Sequence, residues 1–175
     1  MKHAIELFAR EALAAVRDPT LGIPRPMAVV AGAIGAAIAI ALMELLAERT
    51  AIPLLLVPFA TSIVLVMGSP QVAAAQPRAL IGGHLVATVI GLLVVKVTGP
   101  GVAAAAVAVG LAIVAMHLTR SFHPPAGIDP LVVVLNGMSW SFLLVPVAAG
   151  ACLLAAVAFV WHNFFRRGSW PKRWW

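Results

Sequence analysis

Apolar residues in this chain gather into long runs instead of alternating or recurring every third or fourth position. Met27–Leu46, Ala51–Met67, Ala79–Val97, Val102–Leu118 and Phe142–Phe165 consist mainly of Ala, Val, Leu and Ile. A helix needs roughly 20 such residues to cross a bilayer. The runs predict an all-α polytopic membrane protein. One early stretch differs: over residues 3–17, Ile5, Phe8, Ala12 and Val16 share a face, Leu13 sits beside them, and Glu6, Arg10 and Arg17 lie away. That pattern predicts a short helix on the membrane surface, ended by Asp18-Pro19 and the Gly22–Pro26 stretch.

The interruptions carry the remaining information. Pro53 and Pro58 break the second run, and Gly68–Arg78 separates it from the third with G-S-P-Q-V-A-A-A-Q-P-R. Inside the third run stand Gly82, Gly83 and His84, with His84, Thr88 and Gly91 on one helical face. Gly99-Pro100-Gly101 is a tight turn. Arg120–Gly137 then reads R-S-F-H-P-P-A-G-I-D-P-L-V-V-V-L-N-G, at what the flanking runs make membrane depth. Irregular backbone is tolerated there only when buried in protein or lining a water-filled cavity, which makes this segment the first candidate site. Its apolar piece, Leu131–Leu135, is too short to cross alone. Five long runs plus that piece make about six transmembrane segments, some short or broken, if the piece completes a crossing.

Composition and charge narrow the class. At 62% hydrophobic and 10% charged, the chain fits a membrane protein. The net charge of +6 comes mostly from the two ends, which places both termini in the cytoplasm and anionic headgroups against them. A bacterial inner membrane is the expected location. No soluble basic face is present for nucleic acid. Cys152 is the single cysteine, so no intrachain disulfide forms. The first apolar run begins at Met27, too long for a signal peptide's core. The expected division is residues 1–26 as an interfacial segment, 27–165 as the transmembrane domain and 166–175 as a basic, aromatic tail. Trp140, Trp161, Trp170, Trp174 and Trp175 read as interface anchors. Ala28, Gly32 and Ala36, with Gly35 and Ala39, carry the small-residue spacing that lets helices approach closely and suggests a homo-oligomer.

The two halves, 27–98 and 102–165, share a plan of two spans, a proline-bearing break and a further helical piece. Such paired interruptions mark central sites in transporters built from inverted repeats; Ala/Val-rich membrane chains also look self-similar without one. Ser69-Pro70 and Asp129-Pro130 each read as an N-cap followed by a first-turn proline; a start at Pro124 or Pro125 is the alternative. Helix starts near membrane depth would offer backbone donors to an anion, and Gly127 leaves room for close approach.

Ionisable residues near the breaks lean cationic: Arg78, His84, His117, Arg120 and His123 against Asp129. Arginine suits planar oxyanions, and histidine exchanges protons near neutral pH. Arg78 and Arg120 fit equally well as loop charges, His84 as a structural hydrogen-bonding group, and Asp129 as a cap. Asn136 and Ser139 either line a path or end a short helix.

The sequence S-F-H-P-P-A-G, with W-S-F-L-L-V-P-V and W-H-N-F-F downstream, resembles the HPP family of integral membrane proteins. The earlier G-S-P-Q-V-A-A-A-Q-P-R-A-L-I-G-G-H-L resembles that family's other block, and the likeness covers most of residues 27–165. By position, His123, Pro124 and Pro125 are the naming motif, and Gln76, Pro77, Arg78, Gly82, Gly83 and His84 match the earlier block. His162-Asn163 stands where a more polar pair is expected. The resemblance implies a transporter or channel, and its plastid and cyanobacterial members are associated with nitrite transport. The resulting expectation is a small-anion transporter, nitrite first, with a path over Ser69, Gln76, Arg78, Gly82, Gly83, His84, Arg120, His123–Gly127, Asp129 and Asn136. The rivals are a channel for water, neutral solute or protons, and a non-transporting partner subunit. No nucleophile–base pair, metal cluster or cofactor fingerprint is present, so neither an enzyme nor a cofactor is expected.

Overall fold

The computed structural model describes residues 26–50, 57–165 and 168–174. The expected surface helix over residues 3–17 and the Pro53 interruption lie outside them. The chain divides into two units, Met1–Ala31 and Gly32–Trp175; the packing, site and cavity below belong to the second.

Among the described residues, all regular structure is helical. α1 is Pro26–Thr50, α2 Val57–Gly68, α3 Pro77–Thr98, α4 Val102–Leu118, α5 Asp129–Asn136 and α6 Ala149–Phe165. Short 3-10 turns at Ala73–Ala75 and Pro124–Ile128 precede α3 and α5, and a π-helical stretch, Leu143–Ala148, leads into α6. α1, α3 and the joined Leu143–Phe164 are long and apolar enough to span a bilayer, while α2 and α4 are shorter apolar helices. Their outer faces are apolar too. Ile34, Ile38 and Leu42 on α1, and Val107, Leu111 and Val114 on α4, are exposed. Such surfaces suit lipid, where packing of small residues rather than hydrophobic burial holds helices together. This is the polytopic helical fold that the apolar runs predict.

α3 is the central element. A methyl added at Gly83 would come within 2.6 Å of the His123 Cβ, and one at Gly91 within 2.8 Å of the Pro130 Cα. These approaches set the register of the segment after α4. Ser121 lies over Gly82, His123 over Gly83 and Pro130 over Gly91. Val134 follows, packed with Val94, Val95 and Ala105. At about 1.5 Å per residue, the series from Gly82 to Val94 covers roughly 18 Å of α3. The extended stretch, the 3-10 turn and α5 together run parallel to that length of α3.

The α2–α3 loop, the α4–α5 connection and the folded-back 168–174 segment share one face. Arg78 donates to the Thr119 carbonyl at 2.8 Å, Trp170 Nε1–H to the Ala75 carbonyl at 3.1 Å, and the Lys172 backbone N–H to Gln76 Oε1 at 2.7 Å. Gly32 of α1 abuts the Met67 carbonyl at the end of α2. In the far half, Leu92, Val133, Phe142 and Val147 form an apolar cluster. Val145, beside it, is extended (φ −135°, ψ 116°) within the π stretch. The Pro146 ring disfavours helical backbone at the residue before it and removes a backbone donor.

Two expectations change. Ser69-Pro70 opens no helix: Ser69 is exposed in the loop, and α3 starts at Pro77 with Gln76 before it. Gln76 prevails because its side chain ties the loop together, donating to the Pro70 and Val72 carbonyls at 2.8 and 3.2 Å. Trp170 is no interface anchor. It is 1% exposed, because its indole N–H finds a carbonyl inside the bundle. Of the small residues of α1, Gly32 packs against α2 and Gly35 against the Trp161 indole.

Candidate functional site

Four polar side chains meet inside the apolar bundle, all with at most 1% exposure: Ser62, His84, His123 and Asp129. α2 supplies Ser62, α3 His84, and the segment after α4 His123 and Asp129. Ser62 Oγ lies 2.9 Å from His84 Nε2 and 2.8 Å from His123 Nε2. His84 Nδ1 lies 2.7 Å from Asp129 Oδ2, and His123 Nδ1 lies 2.6 Å from the Ala74 carbonyl. The result is a continuous string from the α2–α3 loop inward: Ala74, His123, Ser62, His84, Asp129. A fully buried polar group without a partner costs several kcal/mol in lipid. Here every ring nitrogen has one.

The local sequence explains each placement. Gly82 and Gly83 leave α3 bare where the His-Pro-Pro segment lies against it. The His123 ring approaches that of His84 at 5.1 Å between centroids, and Phe59 covers His84 at 4.6 Å. Ser62 stands one turn after Pro58 and bonds to its carbonyl at 2.8 Å. Asp129 sits in the first turn of α5, where a carboxylate suits the helix dipole. It is not the expected N-cap, because Ile128 takes that position, and its carboxyl reaches His84 instead. Thr88, one turn beyond His84, is also fully buried. Its hydroxyl lies near the Asp129 carboxyl without forming a well-made hydrogen bond.

A second feature lies at the loop face. A cavity of about 460 Å³ is lined by Gln71, Ala73, Gln76, Arg78, Ala79, Arg120, Lys172 and Arg173. Four of these are cationic and none is acidic. The α4 end contributes Arg120 in an unusual way. Arg120 N–H bonds to the His117 carbonyl and Ser121 N–H to the Met116 carbonyl, the two bonds of a Schellman motif. Arg120 occupies its left-handed position at φ 55°, where glycine is the usual residue. The Ala73–Ala75 turn forms a shared wall: Ala73 lines the cavity and Ala74 holds His123.

The sequence-predicted residues thus separate into groups. His84, His123 and Asp129 join the string. Gln76, Arg78 and Arg120 border the cavity. Gly82 and Gly83 are packing surfaces, and Pro124, Pro125, Ala126 and Gly127 form the 3-10 turn. Ser69 is exposed in the loop. Asn136 lies exposed at the end of α5, its amide donating to Val132, away from both features. The two helix starts do not face one another. Pro77 begins α3 at the loop face, whereas Pro130 lies roughly 21 Å further along its axis, opposite Gly91. What joins the two breaks is the His123–Ala74 contact. Ser62, Lys172 and Arg173 escaped the sequence reading; the one clue was a Thr61-Ser62 pair within an apolar run. Among the described residues, no group of His, Cys, Asp and Glu is placed to hold a metal ion.

Apolar spans around a buried polar interior define an integral, multi-span helical membrane protein. The model of the HPP transmembrane region matches residues 22–171, and the chain belongs to that family. Two transmembrane proteins of Dictyostelium discoideum are similar to it. One is 39% identical over 129 residues, 69% of this chain and 42% of its own length. The other is 38% identical over 125 residues, 67% of this chain and 44% of its own. The chain thus spans under half the length of these curated relatives. No solved structure matches it.

Proposed function

We propose that this protein is a transporter or channel for small anions, with nitrite the first candidate substrate. The observation that carries the reading is the loop-face cavity: Arg78, Arg120, Lys172 and Arg173 with no acidic side chain in its lining. Arginine offers planar oxyanions a forked set of donors. The size fits a small ion with its water, and family membership accords with a transport role. By the positive-inside rule the basic loop face is cytoplasmic, in a bacterial inner membrane, where anionic headgroups would meet its rim.

In proteoliposomes, nitrite flux should saturate and exceed that of protein-free vesicles. Arg78→Gln removes a charge-assisted donor worth about 1.5–3 kcal/mol, so flux at low nitrite should fall roughly 10- to 100-fold. Unchanged flux in this variant would remove the cavity from the path. The buried string favours a second reading, a proton channel, which would show flux indifferent to anion gradients.

A further inference from the structure

We infer that the Asp129–His84–Ser62–His123 string is a proton relay, and that a proton accompanies the transported anion. The inference rests on the anion-transport reading for its second half only. It follows from counting donors and acceptors. A backbone carbonyl can only accept, so His123 must keep a proton on Nδ1 to hold Ala74 at 2.6 Å. Its Nε2 is left as the working nitrogen. Ser62 has one hydroxyl proton and three neighbours at 2.8–2.9 Å: His84 Nε2, His123 Nε2 and the Pro58 carbonyl. It can donate to one of them at a time. Ser62 is therefore a junction with a choice built in.

Two complete arrangements satisfy the string. In the first, protonated Asp129 donates to His84 Nδ1, His84 Nε2–H to Ser62, and the Ser62 hydroxyl to His123 Nε2. In the second, every bond reverses. The Asp129 proton has passed to His84 Nδ1, the His84 Nε2 proton to Ser62, and the Ser62 proton to His123 Nε2. Atoms and charge balance: Asp129 becomes a carboxylate, His84 changes tautomer, Ser62 is unaltered, and His123 becomes an imidazolium. Bonding Ser62 to Pro58 instead interrupts the wire. The net movement carries one proton from Asp129 to His123 Nε2, on the ring that the Ala74 carbonyl holds through Nδ1. At the inner end of the string, the buried Thr88 hydroxyl lies near the Asp129 carboxyl. Other titratable groups around the string are Arg78, Arg120, Lys172 and Arg173 at the loop face, and His162 of α6, whose Nε2 bonds to the Val66 carbonyl at 3.0 Å.

Two measurements on the full chain in liposomes test this. Nitrogen-15 NMR of the histidine rings should find His123 protonated at Nδ1 throughout and His84 exchanging between both tautomers, with Ser62→Ala locking His84 in one. A single fixed His84 tautomer in the wild type, or Ser62→Ala spectra identical to it, would overturn the relay. A trapped pH dye should then report proton movement when a nitrite gradient is applied. Ser62→Ala should abolish it, and Ser62→Thr, which restores the hydroxyl, should recover it. Nitrite flux without proton movement in the wild type sinks the coupling. Absence of nitrite flux sinks the transport reading, and the tautomer measurement then decides the relay alone.

Discussion

Two helix ends in this molecule are built by the same pair of hydrogen bonds and carry different residues. At the end of α5, Gly137 N–H bonds to Val134 and Met138 N–H to Val133, with Gly137 at φ 59°. At the end of α4 the pattern repeats, with Arg120 at φ 55° where glycine would fit. The left-handed region costs an L-residue about 1–2 kcal/mol. The far face takes the relaxed choice, and the loop face takes a strained arginine that lines a cationic cavity. The same contrast runs through the bundle: polar, bonded side chains stand under the loop face, and Leu92, Val133, Phe142 and Val147 seal the far half. The Val145-Pro146 interruption lies beside that apolar cluster.

The contrast can be broken at its polar half first. His84→Ala leaves the Asp129 carboxyl buried without its partner, at a cost of about 3–5 kcal/mol. Thermal unfolding in detergent should register the loss, and the double variant His84→Leu with Asp129→Leu should recover much of it, because no buried charge then lacks a partner. Gly83→Ala comes next. Its methyl would meet the His123 Cβ and the Ser121 carbonyl, and overpacking of this kind costs about 1–3 kcal/mol. Arg120→Gly should act in the opposite direction, raising stability by about 1 kcal/mol through relief of the left-handed backbone while lowering nitrite flux. A variant that gains stability and keeps full flux would assign the arginine no role in the cavity. Trp170→Phe removes one indole bond, worth about 0.5–1.5 kcal/mol, and should loosen the 168–174 segment, read as faster amide exchange at Lys172 and Arg173. Asn136→Ala, outside both features, should stay within about 0.5 kcal/mol of wild type.

Much of this was legible in the sequence because polar residues inside apolar runs are conspicuous. His84 could be singled out beside Gly82 and Gly83, and His123 and Asp129 by their prolines. What joins them was not. Ser62 looks like any serine bonded back to its own helix, and nothing in a linear pattern shows that its hydroxyl also meets two histidines from distant segments. The two proline breaks were read as matched helix starts, but Gln76 outcompetes Ser69 through long-range bonds to Lys172 and Arg173. The same contacts fold the basic tail into the cavity wall, so charges that read as membrane anchors become part of the candidate site.

The most direct test compares nitrite flux through wild-type protein and the Arg78→Gln, Arg120→Gly double variant in vesicles matched for protein content. The account predicts saturable flux in the wild type and a residual near that of protein-free vesicles in a variant that remains folded. Equal flux in both proteins, or none in either, would contradict it.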